Sequence, residues 1–224
     1  MASWIVHLRI ADLLLDQISG LKATEFVVGN IAPDSGVPNE DWTDFSPSPV
    51  LSHFKLDNSV PKVIHLPLYT DRYFSEEKRT GYSKAEYSFF LGYLVHLMTD
   101  QLWSSQIAGA LKNRFPSEWA ADKQALINKA KEDWYDLDFL YLKKHPGFRA
   151  YAIYESAVGF QNTFMDIFSP DAFDNRRAYI TSFYSQENGH LDRAYPYLME
   201  SEMDAFVQNA AGVILTRLKR EFSL

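Results

Sequence analysis

The longest unbroken run of hydrophobic positions lies between residues 83 and 115 and predicts a central helix. Ser83 and Glu86 have the spacing of a capping box, which satisfies backbone N–H groups at the start of a helix. From Tyr87 onward apolar residues occupy most sides of the helix, and no proline occurs before Pro116. A helix that is apolar all round belongs in the centre of a bundle. We therefore expect a buried helix that ends or breaks at Pro116.

Helical spacing with one apolar face recurs on both sides of this run. In residues 7–19 the apolar side chains fall on one face, and Gly20 follows as a stop signal. Ser169 and Pro170 have the order of an N-cap and a first helical residue. Further helices are expected at residues 117–131, 134–144, 147–166, 170–184 and 199–222.

Residues 35–80 lack this spacing and hold five of the ten prolines. Proline blocks a helix interior, so we expect no long helix here, although a short one near residues 71–79 is compatible with the sequence. Long irregular segments in compact domains are usually functional or mobile. The whole pattern predicts one all-α domain over residues 1–224, a multi-helix bundle with a buried central helix and a long proline-rich insertion.

Composition narrows the function classes. The chain is 46% hydrophobic and 15% aromatic, which is typical of a packed globular protein. Its net charge of −7 argues against broad contact with nucleic acid or anionic membrane, but not against a small phosphorylated substrate. No cysteine is present, so a metal site must use His, Asp or Glu. We see neither a signal peptide nor a transmembrane run, and expect a cytoplasmic location.

The central helix carries His96 and Asp100 four residues apart, so both side chains lie on one face. Gly92 lies one turn earlier on that face and leaves room for another segment to approach. Burying a His and an Asp in such a helix is costly unless they pair or bind a metal. The spacing therefore indicates either a metal site or a hydrogen-bonded pair in the core.

Three further residues of metal-ligand type lie outside the central helix. Asp34 follows Pro33 in a turn, where its carboxylate could face a site, although capping the turn is the commoner role. His53 lies beside the insertion, and His7 lies among apolar neighbours at the start of the first helix. Each histidine alone is more often a core residue than a ligand, but neutral imidazole is the commonest nitrogen ligand of zinc.

Taken in order, these residues resemble the zinc-dependent phospholipase C family, within the superfamily of phospholipases C and single-strand nucleases. The resemblance covers roughly residues 4–104. The motifs that carry it are His7-Leu-Arg-Ile-Ala-Asp12, Gly29-Asn-Ile-Ala-Pro-Asp34, Ser52-His53-Phe54 and Gly92-Tyr-Leu-Val-His96-Leu-Met-Thr-Asp100.

The resemblance implies two neighbouring divalent ions. Asp34, His53 and His96 would bind one ion, His7 would bind the other, and Asp100 would bridge them. It implies hydrolysis of a small phosphate ester or phospholipid head group, with metal-activated water as the nucleophile and Asp34 and Asp100 as the catalytic carboxylates. The implied cofactor is one or two Zn²⁺ ions, although manganese or iron would suit the same ligands.

The chain departs from the family pattern in the ligands of a third metal. Secreted members use a His-x-x-x-Glu pair, but neither His145 nor His190 is followed by Glu four residues later, and Gln106 replaces a further His. Those members also use a processed N-terminal residue as a ligand, which we do not expect here. Additional ligands could come from Glu40, Asp41 or Glu155.

Several residues near these motifs allow two interpretations. His65 could line the site or belong to the core, His145 indicates a helix end before Pro146, and His190 is typical of an exposed loop. A group of aromatic residues could line a substrate cleft or attach the insertion to the bundle. This group consists of Trp42, Phe45 and Phe54.

Two other function classes compete with a phosphoesterase. One is a binding or structural protein that keeps the ligand skeleton without catalysis, as the missing third-metal ligands suggest. The other is an all-α phosphohydrolase with an adjacent His-Asp doublet. That class is disfavoured, because the chain contains no His-Asp dipeptide.

Overall fold

The predicted central helix is present and lies buried within the bundle. The computed structural model describes residues 1–41, 43–56, 63–188 and 191–222. Helix α6, Lys84–Trp103, begins with the expected capping box of Ser83 and Glu86. Every residue of α6 from Ser88 to Asp100 is buried. The all-α class predicted from the hydrophobic pattern is therefore confirmed.

Helices dominate the described residues, and their order follows the chain. The helices are α1 Trp4–Leu15, α2 Ala23–Ile31, α3 Pro49–Ser52, α4 Leu66–Tyr73, α5 Glu76–Gly81, α6 Lys84–Trp103, α7 Gly109–Arg114, α8 Pro116–Lys144, α9 Arg149–Ser156, α10 Ala172–Tyr184 and α11 Glu200–Phe222. A 3₁₀ turn, Ala32–Asp34, continues α2, and a π-helical segment, Ser104–Ala108, joins α6 to α7. Strands β1 Val37–Pro38 and β2 Phe45–Ser46 pair antiparallel.

Helices α2 and α6 cross at unusually short range because each has a glycine at the crossing. A Cβ atom built on Gly92 would lie 2.1 Å from the Phe26 carbonyl oxygen, and one on Gly29 would lie 2.2 Å from that of Phe89. No other residue type fits in so little space. The expectation that Gly92 admits another segment is confirmed, and that segment is α2.

The insertion is fastened to the bundle by aromatic packing. Phe54 is buried, and its ring meets those of Tyr69 and Tyr93 at 5.1 and 6.1 Å between centroids. Phe54 therefore attaches the insertion to the bundle, whereas Phe45 lines a cavity. Trp42 lies outside the described residues. The short helix expected near residues 71–79 is replaced by α4 and α5, which meet around Phe74 and Ser75.

The break predicted at Pro116 is confirmed, because α7 ends at Arg114 and α8 begins at Pro116, but two helices predicted on either side of it have other bounds. The α-helix predicted through residue 115 changes to π-helical geometry after Trp103, and α7 completes the stretch. Residues 117–131 and 134–144 belong to one range, α8, whose break lies at Asp122 instead. The Asp122 carboxylate accepts bonds from the backbone N–H groups of Gln124 and Ala125, so it caps a new helical start there.

The helix predicted at residues 147–166 is also too long, because α9 ends at Ser156. Gly159 adopts a φ of +74°, which interrupts the helix. Asn162 then organises the loop, since its side chain donates to the Met165 and Phe168 carbonyls and accepts from the Met165 N–H. Side-chain bonding of this kind competes with helical bonding.

The start of the following helix, α10, also differs from the prediction. Asp171 holds the N-cap position, so Pro170 precedes the helix rather than opening it. Ser169 donates its hydroxyl to the Asp171 carboxylate at 2.8 Å instead of capping the helix.

The buried apolar residues form one continuous cluster, which extends from Ala2 near the N-terminus to Leu218 in α11. Among the described residues, no helix combines the length and the apolar character needed to cross a bilayer.

Candidate metal centre

Four separate elements bring all five sequence-predicted metal ligands to one place. His7 lies in α1, Asp34 ends the 3₁₀ turn after α2, His53 follows α3, and His96 and Asp100 lie on α6. The three histidines and Asp100 are buried, and the Asp34 side chain is 9% exposed. The ligand types therefore meet at the centre of the bundle, with Asp34 on the accessible side.

The ligand atoms of this cluster lie close to one another. The Nε2 atoms of His53 and His96 are 3.3 Å apart. Asp34 Oδ1 lies 3.3 Å from His53 Nε2 and 4.0 Å from His96 Nε2. Asp100 Oδ2 lies 3.6 Å from each of the same two nitrogens. Nitrogen and oxygen atoms from four side chains thus surround a common point.

The α2–α6 crossing determines which nitrogen of His96 faces this point. His96 Nδ1 lies 2.7 Å from the Asn30 carbonyl oxygen, which can only accept, so Nδ1 carries the proton. Nε2 of the neutral ring then presents a lone pair toward His53 and the two carboxylates. A backbone carbonyl that fixes the ring in this way is typical of histidines that bind metals.

Other members of the cluster lack the partners that burial normally requires. Both ring nitrogens of His7 and Oδ2 of Asp100 are buried without a hydrogen-bond partner among the described residues. The His7 ring stacks parallel on that of His96, with 3.8 Å between centroids, and His7 Nε2 lies 3.5 Å from Asp100 Oδ1. Buried unpartnered groups of this kind are costly unless something else satisfies them.

The surroundings of the cluster favour protonation states that leave lone pairs free on its ligand atoms. Burial, followed by the neighbouring His7, lowers the pKa of His96 to about 3, although Asp34 and Asp100 act in the opposite direction. Burial favours the protonated form of Asp34, but the hydrogen bond with His53 and the nearby imidazole rings hold its pKa below the ordinary value. His96 is therefore neutral and Asp34 ionised at neutral pH, the states that a metal ligand requires.

Asp100 is held ionised by different neighbours. Burial again opposes its charge, but the amino group of Met1 and the approach of His7 hold its pKa well below the ordinary value. Its Oδ1 atom also accepts a 2.7 Å bond from the Ala2 N–H. One carboxylate oxygen is thus satisfied by the chain, and the other remains available.

Buried His and Asp residues arranged like this could hold a metal ion. Two overlapping groups meet the spacing, one of His7, His96 and Asp100, the other of Asp34, His53 and His96. His96 belongs to both, and its single free lone pair can serve only one ion. The two groups are therefore not independent sites.

The structure does not bring the other predicted ligands to the cluster. Glu40, Asp41 and Glu155 are all exposed, and none belongs to either ligand group. His145 is exposed at the end of α8 and bonds the Tyr141 carbonyl, so its predicted role as a helix end is confirmed. His65 holds the N-cap position of α4 without a side-chain capping bond, and it belongs to neither group. His190 lies outside the described residues.

Sequence reasoning missed the groups that orient the ligands. The indole N–H of Trp4 donates to Asp34 Oδ2 at 3.0 Å, and the Ser52 hydroxyl lies 3.0 Å from His53 Nδ1. Ser3, the residue before Trp4, donates its hydroxyl to Asp138 Oδ1 at 2.8 Å, which attaches the N-terminal segment to α8. The Trp4–Asp34 contact joins residues 30 positions apart, so no local sequence signal marks it, whereas Ser52 directly precedes His53 and could have been noticed in the sequence.

A cavity of about 590 Å³ opens beside the cluster. Asp34 and His53 belong to its wall, and several residues from the C-terminal half complete it. The remaining wall includes Ser3, Trp4, Phe45, Lys55, Lys131, Trp134, Tyr135, Arg176 and Tyr179. The volume lies within the usual range of sites for small molecules.

Comparison of the chain with protein-family models, curated proteins and solved structures found no significant match.

Proposed function

We propose that this protein is a metal-dependent hydrolase of phosphate esters, of the phospholipase C-like kind, with zinc as its metal. Asp34, His53, His96 and Asp100 would hold the principal ion. His7 would contribute to a second ion shared with Asp100. The observation that carries this proposal is the convergence of His and Asp side chains beside a cavity, with ligand atoms of His7 and Asp100 buried and unpartnered.

The donor set and its size support zinc. Imidazole nitrogen and carboxylate oxygen are ordinary zinc ligands, at bond lengths of about 2.0–2.2 Å. Bonds of that length in a tetrahedral site require ligand atoms about 3.3 Å apart. The five separations given above for the atoms of Asp34, His53, His96 and Asp100 range from 3.3 to 4.0 Å. A small contraction would therefore bring His53, His96 and either carboxylate to bonding distance of one ion.

A resident ion relieves the strain that the isolated chain carries. Without a cation, the lone pair of His96 Nε2 faces carboxylate oxygens at 3.6 and 4.0 Å, and Asp100 Oδ2 has no donor. When bound, a divalent ion supplies a water of lowered pKa and positive charge toward a phosphoryl group.

The chain's own groups divide the remaining tasks. Trp4 holds one oxygen of Asp34, which leaves Oδ1 turned toward His53. The Asn30 carbonyl fixes the tautomer of His96, and the Ala2 N–H fixes Asp100. Because Asp34 and His53 also line the cavity, a phosphate ester bound there would meet the cluster from its accessible side.

Metal content tests this proposal first. Protein purified without chelator should contain one or two zinc-type ions per chain by elemental analysis. Asp34→Asn preserves the side-chain volume and should lower that content, as should His96→Ala, with folding checked by circular dichroism. His145→Ala is the matched control, since His145 is exposed and outside the cluster. Folded wild-type protein that never takes up a divalent ion would contradict the proposal.

Turnover tests the second half of the proposal. Metal-loaded protein should hydrolyse bis-p-nitrophenyl phosphate or p-nitrophenyl phosphate, and the Asp34→Asn variant should lose that activity. A protein that binds metal but turns over neither ester, with zinc, manganese or iron, would instead be a metal-binding protein that retains only the ligand skeleton.

A further inference from the structure

The cavity beside the metal cluster has a charge opposite to that of the protein as a whole. The chain carries a net charge of −7. Yet three cationic side chains line this cavity, those of Lys55, Lys131 and Arg176. Asp34 is the one carboxylate among the described residues of the wall, and we assign it to the metal. Even without Lys55, the two charges of Lys131 and Arg176 exceed the one of Asp34, so the wall presents an excess of positive charge to an occupant.

Among these cations, Arg176 gives the strongest indication of an anionic occupant. It is 7% exposed, and its Nη2 atom donates to the Gly36 carbonyl at 2.6 Å. Its guanidinium lies 5.4 Å from the centre of the Tyr179 ring. Among the described residues no carboxylate lies within ion-pair distance of it. A buried charge without a counter-ion is unfavourable, so an anionic occupant would stabilise this arrangement.

The neighbouring residue shows that ion pairing is available on the same helix. Arg177 follows Arg176 on α10, pairs with Asp174 at 2.7 Å and lies outside the cavity wall. Arg176 instead forms its hydrogen bond with Gly36, two residues after Asp34. This contact brings the guanidinium close to the turn that carries a proposed metal ligand.

Lys131 adds a second charge from another element. It is exposed on α8 and makes no ion pair with any residue in the described ranges, whereas Lys129 pairs with Glu118 at 3.6 Å. Lys131 is thus free to meet an anion in the cavity at little desolvation cost. Arg176 lies on α10 and Lys131 on α8, both in the C-terminal half of the chain, whereas the metal-ligand motifs lie in the first half.

The cavity also has apolar walls and more room than a phosphate group needs. Its volume of about 590 Å³ would accept a substituent beyond the reacting phosphate. Five aromatic side chains supply flat surface for that substituent. They are Trp4, Phe45, Trp134, Tyr135 and Tyr179.

We propose that Arg176 and Lys131 form a specificity site for substrates with at least two negative charges, such as an aryl phosphomonoester, in preference to zwitterionic choline phosphodiesters. This inference rests on the proposed function, because it takes the reacting phosphate to lie at the metal cluster. A quaternary ammonium group would meet like charges from the wall. A dianionic ester would meet two cations, with its organic group against the aromatic walls.

Binding of two small probes tests this site without turnover. Phenylphosphonate is a non-hydrolysable dianion with an aromatic group, whereas phosphocholine joins a dianionic phosphate to a quaternary ammonium group, so its net charge is less negative. Calorimetry or tryptophan fluorescence would measure the affinity of each for zinc-loaded and chelator-treated protein. We expect phenylphosphonate to bind at least tenfold more tightly than phosphocholine. Arg176→Gln and Lys131→Gln should each weaken phenylphosphonate binding about tenfold, since a charged hydrogen bond contributes roughly that much.

The neighbouring cations provide matched controls. Arg177→Gln and Lys129→Gln remove one charge each from the same helices but not from the cavity wall, and should leave phenylphosphonate affinity unchanged. If Arg176→Gln does not fold, the exposed Lys131→Gln variant decides the outcome.

The two proposals fail in different ways. If the protein binds zinc but binds phosphocholine as tightly as phenylphosphonate, the specificity site alone is overturned. The same holds if neither Arg176→Gln nor Lys131→Gln changes the affinity for phenylphosphonate. Protein that binds phenylphosphonate through Arg176 but never binds zinc would overturn the proposed metal centre and leave an anion site without that chemistry.

Discussion

Replacing Gly92 by Ala tests whether the close α2–α6 crossing both stabilises the fold and orients the site. The new methyl group would lie 2.1 Å from the Phe26 carbonyl oxygen and 2.9 Å from the Asn30 nitrogen. Both neighbours are backbone atoms, which cannot rotate away as a side chain can. Helix α2 would therefore have to retreat by about 1 Å, and overpacking of this kind typically costs about 1–3 kcal/mol or more.

The size of the effect follows from two opposing terms. Alanine is intrinsically the better helix former by about 1 kcal/mol, which partly offsets the clash. We expect the free energy of unfolding to fall by about 2 kcal/mol, measured by urea denaturation with chelator present. Gly212 provides the matched control, because it is exposed in α11 with no atom within 4 Å of its built Cβ. Gly212→Ala should stabilise the protein by up to about 1 kcal/mol.

The same substitution should also lower the affinity of the candidate metal centre for zinc. A retreat of α2 would carry the Asn30 carbonyl away from His96 Nδ1, which it now meets at 2.7 Å. Loss of such an orienting contact typically lowers metal affinity about 10- to 100-fold, measurable by zinc titration against a competing chelator. A Gly92→Ala variant as stable as Gly212→Ala, with unchanged zinc affinity, would refute this reasoning.

Three further predictions concern single contacts. Trp4→Phe removes the N–H donor of Asp34 but keeps the ring, and should weaken zinc about tenfold in the same titration; unchanged affinity would show that this contact does not matter. Burial raises the pKa of Asp138 to about 7 from 3.8, so the folded state holds a proton that the unfolded chain releases. This proton adds to the free energy of unfolding in full below about pH 4, and the contribution is lost as the pH rises through 7. At about 1.4 kcal/mol per pKa unit, the loss amounts to a few kcal/mol. Asp138→Asn should flatten this decline in thermal unfolding measured from pH 4 to 8, and an equal decline in both proteins would contradict the prediction. Ser83→Ala should lower the free energy of unfolding by about 1 kcal/mol in urea, and Ser75→Ala, which removes the cap of a helix without buried residues, should lower it less.

Local sequence signals, which act over a few residues, made much of the fold predictable. The capping box and the apolar run located the central helix, and Pro116 located the break before α8, because each signal acts within a few residues of its own position. The same logic failed where a polar side chain redirected the backbone. Asp122 begins a new helical segment, and Asn162 replaces helical bonds with its own, although neither residue is unusual in a helix by sequence alone.

The sequence by itself determined which residues have metal-ligand chemistry and that His96 and Asp100 share one buried helix face. Only the tertiary structure decided that His7, Asp34 and His53 join them, since helix packing brings together residues up to 93 positions apart, as in the His7–Asp100 pair. It also decided the tautomer of His96, through a backbone carbonyl that no residue type encodes. The cationic cavity wall is equally a tertiary feature, because α8 and α10 carry its charges to a site built by the first half of the chain.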